Sequence, residues 1–253
     1  MVFNPFTLSG KTILVTGASS GIGRATAIAC SQMGARVVLS GRNTDALNET
    51  RSMLDASDKE YSHMIVTADL VSDEEIKRLV EESPMLDGVV SNAGVGKMSP
   101  IQFINRDELE RVYSINTFSH ILLTKELVKR KKLNRQASIV YVASISGYSN
   151  TAVANAIYGT SKSALASYVK YAALELASRG IRCNSVHPGR IETPLIMNDK
   201  LTEDDIKRDI ELYPLKRYGQ PEDVAYQIVY LLSKASIWVT GSQFVVDGGR
   251  SLN

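Results

Sequence analysis

The chain has 253 residues, 44% of them hydrophobic and 22% charged, with a formal net charge of +2. Such a chain buries a sizeable core; its charge excludes the strong positive field of a nucleic-acid binder, and no run approaches the roughly 18–20 apolar residues that span a bilayer. Its two cysteines, Cys30 and Cys183, make neither a disulfide framework nor a metal-ligand cluster and suit packing in a reducing cytosol.

The opening MVFNPFTLSGK lacks the basic start and long apolar stretch of a secretory signal, so a cytoplasmic protein is expected. Short β-rich runs then alternate with longer helical patterns. Lys11–Thr16 (KTILVT) reads as the first strand, followed by a helix through GIGRATAIACSQMG. Ala35–Ser40 is the second strand, with a helix from Asp45 to about Ala56. His63–Leu70 holds the third strand, Asp73–Glu82 a helix, and Leu86–Gly94 the fourth strand. One long helix is expected from about Asp107 to Lys132, then a strand at Ala137–Ser144 and a second long helix over about Ala156–Ser178. Arg182–Pro188 and Ser242–Asp247 are the last strands, with a helix near Pro221–Ser233 between them. Several strands are unbroken apolar runs, as strands covered on both faces are. The expectation is an α/β chain forming one doubly wound, Rossmann-type domain over residues 1–253, with a mainly parallel seven-stranded sheet and helices on both faces. The polar segment Thr193–Gly219 breaks the alternation and is expected to form a substrate lid.

Between the first strand and its helix stands Thr16-Gly17-Ala18-Ser19-Ser20-Gly21-Ile22-Gly23. Glycines here let backbone N–H groups approach a pyrophosphate, and the helix offers its positive end. The spacing departs from G-x-G-x-x-G, and a tight turn without a ligand would use glycine too. The second strand's end adds to this. An acid there would bind free ribose hydroxyls, but the sequence reads Ser40-Gly41-Arg42-Asn43. The Arg42 guanidinium suits a 2′-phosphate, with no carboxylate to repel one. NADP(H) is the expected cofactor; otherwise Arg42 is an exposed loop arginine.

Tyr158 and Lys162, in YGTSK, lie four residues apart near a helix start and so on one face. A phenol with a pKa near 10 is a poor proton carrier at neutral pH. A cation roughly 4–5 Å away contributes roughly 3–4 kcal/mol at an effective dielectric of about 20, or about 2–3 pKa units. That would bring the phenol towards neutrality. Such pairs are also common on helices without any chemistry.

Loop, tyrosine and lysine in this order and spacing resemble the short-chain dehydrogenase/reductase family over nearly the whole chain, its 3-oxoacyl-carrier-protein reductases in particular. The resemblance implies further residues. Asn116 in YSINTF matches the asparagine that anchors a water relay to the lysine, and Ser144 in ASISG matches the catalytic serine. Asn116, Ser144, Tyr158 and Lys162 are thus the expected catalytic set. SNAG, with Asn92, Ala93 and Gly94, resembles the family's Asn-Asn-Ala-Gly stretch beside the adenosine. Asp69 and Leu70 in ADL match the segment near the adenine, and Pro188, Gly189 and Thr193 in HPGRIET the segment that holds the carboxamide. Thr16, Gly17, Ser19, Gly21, Ile22, Gly23 and Arg42, with Tyr158 and Lys162, would complete the cofactor seat.

Two departures stand out. Ser91 replaces the first asparagine, and Ser144 and Tyr158 are 14 residues apart, one more than is usual, as an insertion within Tyr148–Ile157 would explain. Ser146 is a rival for the serine role, but Ser144 has the S-x-x-G context. No metal is implied, and His63, His120 and His187 read as structural.

The implied reaction is hydride transfer between nicotinamide and a carbonyl or alcohol, on a small molecule or a 3-oxoacyl thioester. KRKK (Lys129–Lys132) and Arg179 sit where the carrier-protein reductases carry basic residues for an acidic carrier, although cations near a helix C-terminus also favour its dipole. The apolar helix SALASYVKYAALELA, together with the resemblance, leads to an expected homotetramer. The alternative is an NADP-binding sensor or scaffold without catalysis, which has no use for the tyrosine–lysine pair.

Overall fold

Adjacent residues of a strand face opposite sides of its sheet, so an unbroken apolar run must be covered twice. The computed structural model, which describes residues 3–55, 62–194 and 202–252, has that arrangement. Strands β1 (Thr12–Thr16), β2 (Arg36–Gly41), β3 (Met64–Thr67), β4 (Leu86–Ser91), β5 (Leu133–Val142), β6 (Arg182–Pro188) and β7 (Gln243–Val246) form one parallel sheet in the order β3-β2-β1-β4-β5-β6-β7. The helices are α1 (Gly21–Gln32), α2 (Thr44–Ser52), α3 (Asp73–Glu82), α4 (Arg106–Tyr113), α5 (Ser119–Lys129), α6 (Ala156–Leu176), α7 (Glu203–Glu211) and α8 (Pro221–Leu232).

The two cores follow the strand alternation. Ile13 and Val15 of β1 pack with α1 and α8, while Leu14 between them packs with α3, α5 and α6 on the other face. Small residues such as Ala25 and Ala29 bring α1 close to Ala225 and Ile228 of α8. Each fully buried Leu, Ile or Val here contributes about 1.5–3 kcal/mol. Cys30 and Cys183 are free and buried, one in each core, and burial pushes both thiols up to about 12. No helix among the described residues is long and apolar enough to cross a membrane.

The structure corrects two element boundaries. The single helix expected from Asp107 to Lys132 is broken: Ser114–Phe118 form a π-helical turn between α4 and α5, and α5 ends at Lys129. The strand expected at Ala137–Ser144 is β5, which starts earlier, at Leu133, because Leu133 pairs with Leu86 before the register shifts. Residues 195–201 of the expected lid, like the expected helix end at Ala56, lie outside the described residues. The described part of the lid segment carries α7, opened by a capping box between Thr202 and Asp205. Within it Tyr218 donates to Asp209 (2.8 Å), and it is tied to the chain after β6 by the Arg190 guanidinium, 3.9 Å from the same carboxylate.

Candidate active site

Strand order reverses between β1 and β4, and in such sheets the crevice for ligands opens at the carboxyl ends of the strands. A cleft of about 330 Å³ lies there, running from the glycine loop past Arg42 and Asp69 to Ser144, Tyr158, Lys162 and Thr193. It also takes in Ser19, Gly21, Ile22, Leu70, Asn92, Ala93, Gly94, Pro188 and Gly189.

Thr16, Gly23 and Asn116 do not line the cleft; they stand behind it. Thr16 Oγ1 donates to the Val90 carbonyl (3.3 Å) and accepts from the Asn92 amide (2.9 Å), tying β1 to β4. A Cβ on Gly23 would lie 2.1 Å from the Gly17 carbonyl oxygen, so only glycine lets α1 start against the loop. Gly17 itself has φ +64° and abuts Asn92 and Ala93. Behind the loop, Arg24 donates to the Ser19 carbonyl (2.7 Å) while ion-paired to Glu49, and Thr50 donates to the Ala18 carbonyl (3.0 Å). Sequence reasoning missed Arg24 and Thr50, whose partners lie on another element.

The start of α1 is unlike that of α2, α3 and α4. Those three carry a side-chain cap, from Asn43, Ser72 and Asn105. Ser20 at the N-cap of α1 caps nothing, and the first turn has no acid, which leaves its positive end facing the cleft. Such an end fits a phosphate group. Further along, the Arg42 side chain is 68% exposed, and its guanidinium lies 3.9 Å from Asp69, free to turn to an added anion.

At the other end of the cleft, the π turn aims Asn116 inward. Its side chain accepts from the Val95 amide (2.8 Å) and donates to the Val95 carbonyl (3.0 Å) and to Ser161 Oγ (3.0 Å). π turns inside helices are frequent at functional sites. The Lys162 ammonium donates to the Val142 carbonyl at the end of β5 (2.8 Å), and burial pulls its pKa down to about 8. Burial also pushes the Tyr158 phenol up, opposed by a hydrogen bond with the Ser144 side chain. This revises the expected order of effects: dehydration outweighs the lysine, whose ammonium is directed at Val142. Ser144, not Ser146, is the serine brought to Tyr158, since Ser146 Oγ accepts from Asn155 (3.1 Å). Between Ser144 and Tyr158, residues 145–150 form a turn in which the Tyr148, Ser149 and Asn150 amides converge on the Ile145 carbonyl.

Two histidines stand directly behind this end. His120 is buried, accepts from Ser91 (2.5 Å) and donates to the Ala93 carbonyl (2.9 Å). His187 accepts from Ser185 (2.9 Å) and donates to the Ser144 carbonyl (2.9 Å). Burial pulls them down to about 3 and about 4, so both are neutral at ordinary pH, and Ser91 serves as the partner of His120. The basic residues proposed for a carrier lie near the start of β5, away from the cleft. Arg130 pairs with Glu81 and Glu126, Lys132 donates to the Glu81 and Ser83 carbonyls, and Arg179 donates to the Leu133 carbonyl.

Residues 17–251 match the family model described as Enoyl-(Acyl carrier protein) reductase. The 3-oxoacyl-(acyl-carrier-protein) reductase FabG of Rickettsia felis is 35% identical over 243 residues, 96% of this chain and 97% of that one. Glucose 1-dehydrogenase of Gluconobacter oxydans is 36% identical over 255 residues, 96% of this chain and 93% of that one. The crystal structure of a short-chain type dehydrogenase/reductase from Mycobacterium marinum superposes with a TM-score of 0.88 at 31% identity, covering 98% of each chain.

Proposed function

The chain belongs to the short-chain dehydrogenase/reductase family, and on that premise we propose that it is an NADP(H)-dependent oxidoreductase acting on a carbonyl/alcohol pair, with 3-oxoacyl thioesters as its substrate class. The observation that carries this reading is one cleft with a glycine loop and Arg42 at one end and Ser144, Tyr158 and Lys162 at the other. The uncapped start of α1 would receive the pyrophosphate and Arg42 the 2′-phosphate, while Asp69, Asn92 and Thr193 border the remaining seat. When bound, the nicotinamide supplies the hydride.

In the reducing direction the Ser144 hydroxyl holds the substrate oxygen and Tyr158 donates a proton to it. A half-buried phenol with a raised pKa is protonated at neutral pH, the state an acid needs. Lys162 steadies the charge left on the phenolate and borders the ribose, and Asn116 holds the Val95 backbone that closes this end of the cleft. A sensor without catalysis has no use for this serine, tyrosine and lysine set in the cleft.

The thioester reading draws on the likeness to the Rickettsia felis reductase; the equally similar Gluconobacter glucose 1-dehydrogenase favours a polyol as second reading. Carrier recognition by the exposed faces of Lys129–Lys132 and Arg179 belongs to the first reading alone. Turnover of NADPH with a short 3-oxoacyl thioester, against NADP⁺ reduction with glucose, separates them. In the same assay Arg42→Ala is expected to weaken NADPH by about ten-fold or more and NADH by less than about two-fold, the loss of one charge-assisted phosphate contact. Equal losses for both cofactors, or a native preference for NADH, would overturn the NADP assignment.

A cytoplasmic location fits the two free thiols. A homotetramer fits the exposed apolar residues, Tyr171 and Leu174 on α6 and, near β7, Ile237 and a Trp238 that is 97% exposed. Light scattering at micromolar concentration is expected to give the mass of four chains, and a monomer would refute it.

A further inference from the structure

Ser144 sits just past the end of β5, where the strand ladder stops. The amides on either side of it still bond to β6: Ala143 donates to the Val186 carbonyl (2.9 Å) and Ile145 to the Pro188 carbonyl (3.1 Å). The carbonyl of Ser144 itself is taken by a side chain, the Nδ1 of His187 at 2.9 Å. A carbonyl only accepts, so Nδ1 carries the proton and Nε2 is left as the acceptor for Ser185 Oγ (2.9 Å). His187 is 0% exposed, and the Tyr148 ring lies against it with centroids 4.4 Å apart.

We propose that His187 is a positioning residue: fixed as its Nδ1–H tautomer by the Ser144 carbonyl, with Ser185 donating to Nε2, it holds the Ser144 peptide and thereby the hydroxyl that Ser144 presents beside Tyr158. This rests on the role given to Ser144 above. The Nδ1–H form is the one a free neutral histidine side chain populates less in water, so its selection is the work of the fold. Burial and the nearby Lys162 ammonium keep the ring neutral, with one donor and one acceptor. Without the donor, a buried carbonyl loses its partner and the Ser144–Ile145 peptide is held only by the Ile145 amide on Pro188, so it can tilt about that bond. A shift of about 1 Å at a reacting group can lower turnover by about 10²-fold.

The test combines turnover, NADPH affinity and the histidine ¹⁵N spectrum. His187→Leu is expected to lower kcat by about 10²-fold with substrate KM and NADPH Kd within about two-fold. His187→Asn places an N–H near the Nδ1 position and should regain about ten-fold of that loss, whereas His187→Gln places it near Nε2 and should not. In a Ser144→Ala background His187→Leu should subtract less than about two-fold more, because it acts through the serine. Unchanged kcat in His187→Leu, equal losses in the Asn and Leu variants, or a full further loss in the Ser144→Ala background would each overturn the proposal. If the leucine variant fails to fold, the unsubstituted protein decides: an Nδ1–H resonance for His187 supports it and an Nε2–H resonance overturns it. Full turnover by Ser144→Ala would instead remove the serine from the mechanism, a separate failure.

Discussion

Tyr158→Phe is expected to lower turnover by about 10³-fold while leaving the NADPH dissociation constant within about two-fold of its original value. Among the described residues that line the cleft, the titratable ones are Arg42, Asp69, Tyr158 and Lys162. The first two form an ion pair at the loop end. At the other end the lysine ammonium is engaged by the Val142 carbonyl, so the phenol is the group with a proton to give. Phenylalanine keeps the ring, its packing and its place along the cofactor seat, and removes only the hydroxyl that hydrogen-bonds Ser144. Lys162→Ala should damage both turnover and cofactor affinity, because the side chain lines the cleft and its charge would steady the phenolate. Ser144→Ala should follow the tyrosine pattern, with cofactor binding intact. Steady-state kinetics and NADPH fluorescence titration check the contrast. If Tyr158→Phe kept more than about a tenth of the activity, the proton would have to come from elsewhere.

Lowering the pH from 7 to 5 is expected to remove about 4 kcal/mol of folding stability, a large part of what a domain usually has. The cause is the pair of buried histidines. Their folded pKa values, about 3 for His120 and about 4 for His187, lie below the ordinary 6.5. Between those values the unfolded chain binds more protons than the folded one, so stability is complete above about 6.5 and is lost as pH falls towards 4. At pH 5 each ring contributes about 2 kcal/mol of that loss. Protonation would also set two further positive charges near Lys162, which already lowers both rings. Carboxylates titrate mostly below this window. Urea unfolding at pH 7, 6 and 5 measures the slope, and His187→Asn should remove about half of it. A flat stability between pH 7 and 5 would mean that the rings take up protons in the native state.

Much of this molecule is determined locally, and so was legible in the sequence. The alternation of apolar runs with helical patterns specifies a parallel sheet covered twice, because side-chain direction along a strand follows from the backbone alone. The loop Gly17–Gly23 and the pair Tyr158–Lys162 are also local, one a turn that needs missing side chains and the other two residues on one helical face. What a side chain does with its polar atoms is a different matter. Lys162 meets a carbonyl 20 positions away, His120 one 27 away and His187 one 43 away, on elements that come together only when the sheet and its covering helices assemble. The π turn that aims Asn116 is likewise invisible to helical periodicity, which reads Asp107–Lys132 as unbroken. Lys129–Lys132 form a basic run in the sequence, but in the fold Arg130 meets two acids, Lys132 the end of α3, and the distant Arg179 the carbonyl that starts β5. By itself, then, the sequence determined the fold, the cleft and the residue types that reach it. Only the tertiary structure decided which of those groups are neutral, which are held in place and by what, because burial and long-range partners set protonation and orientation.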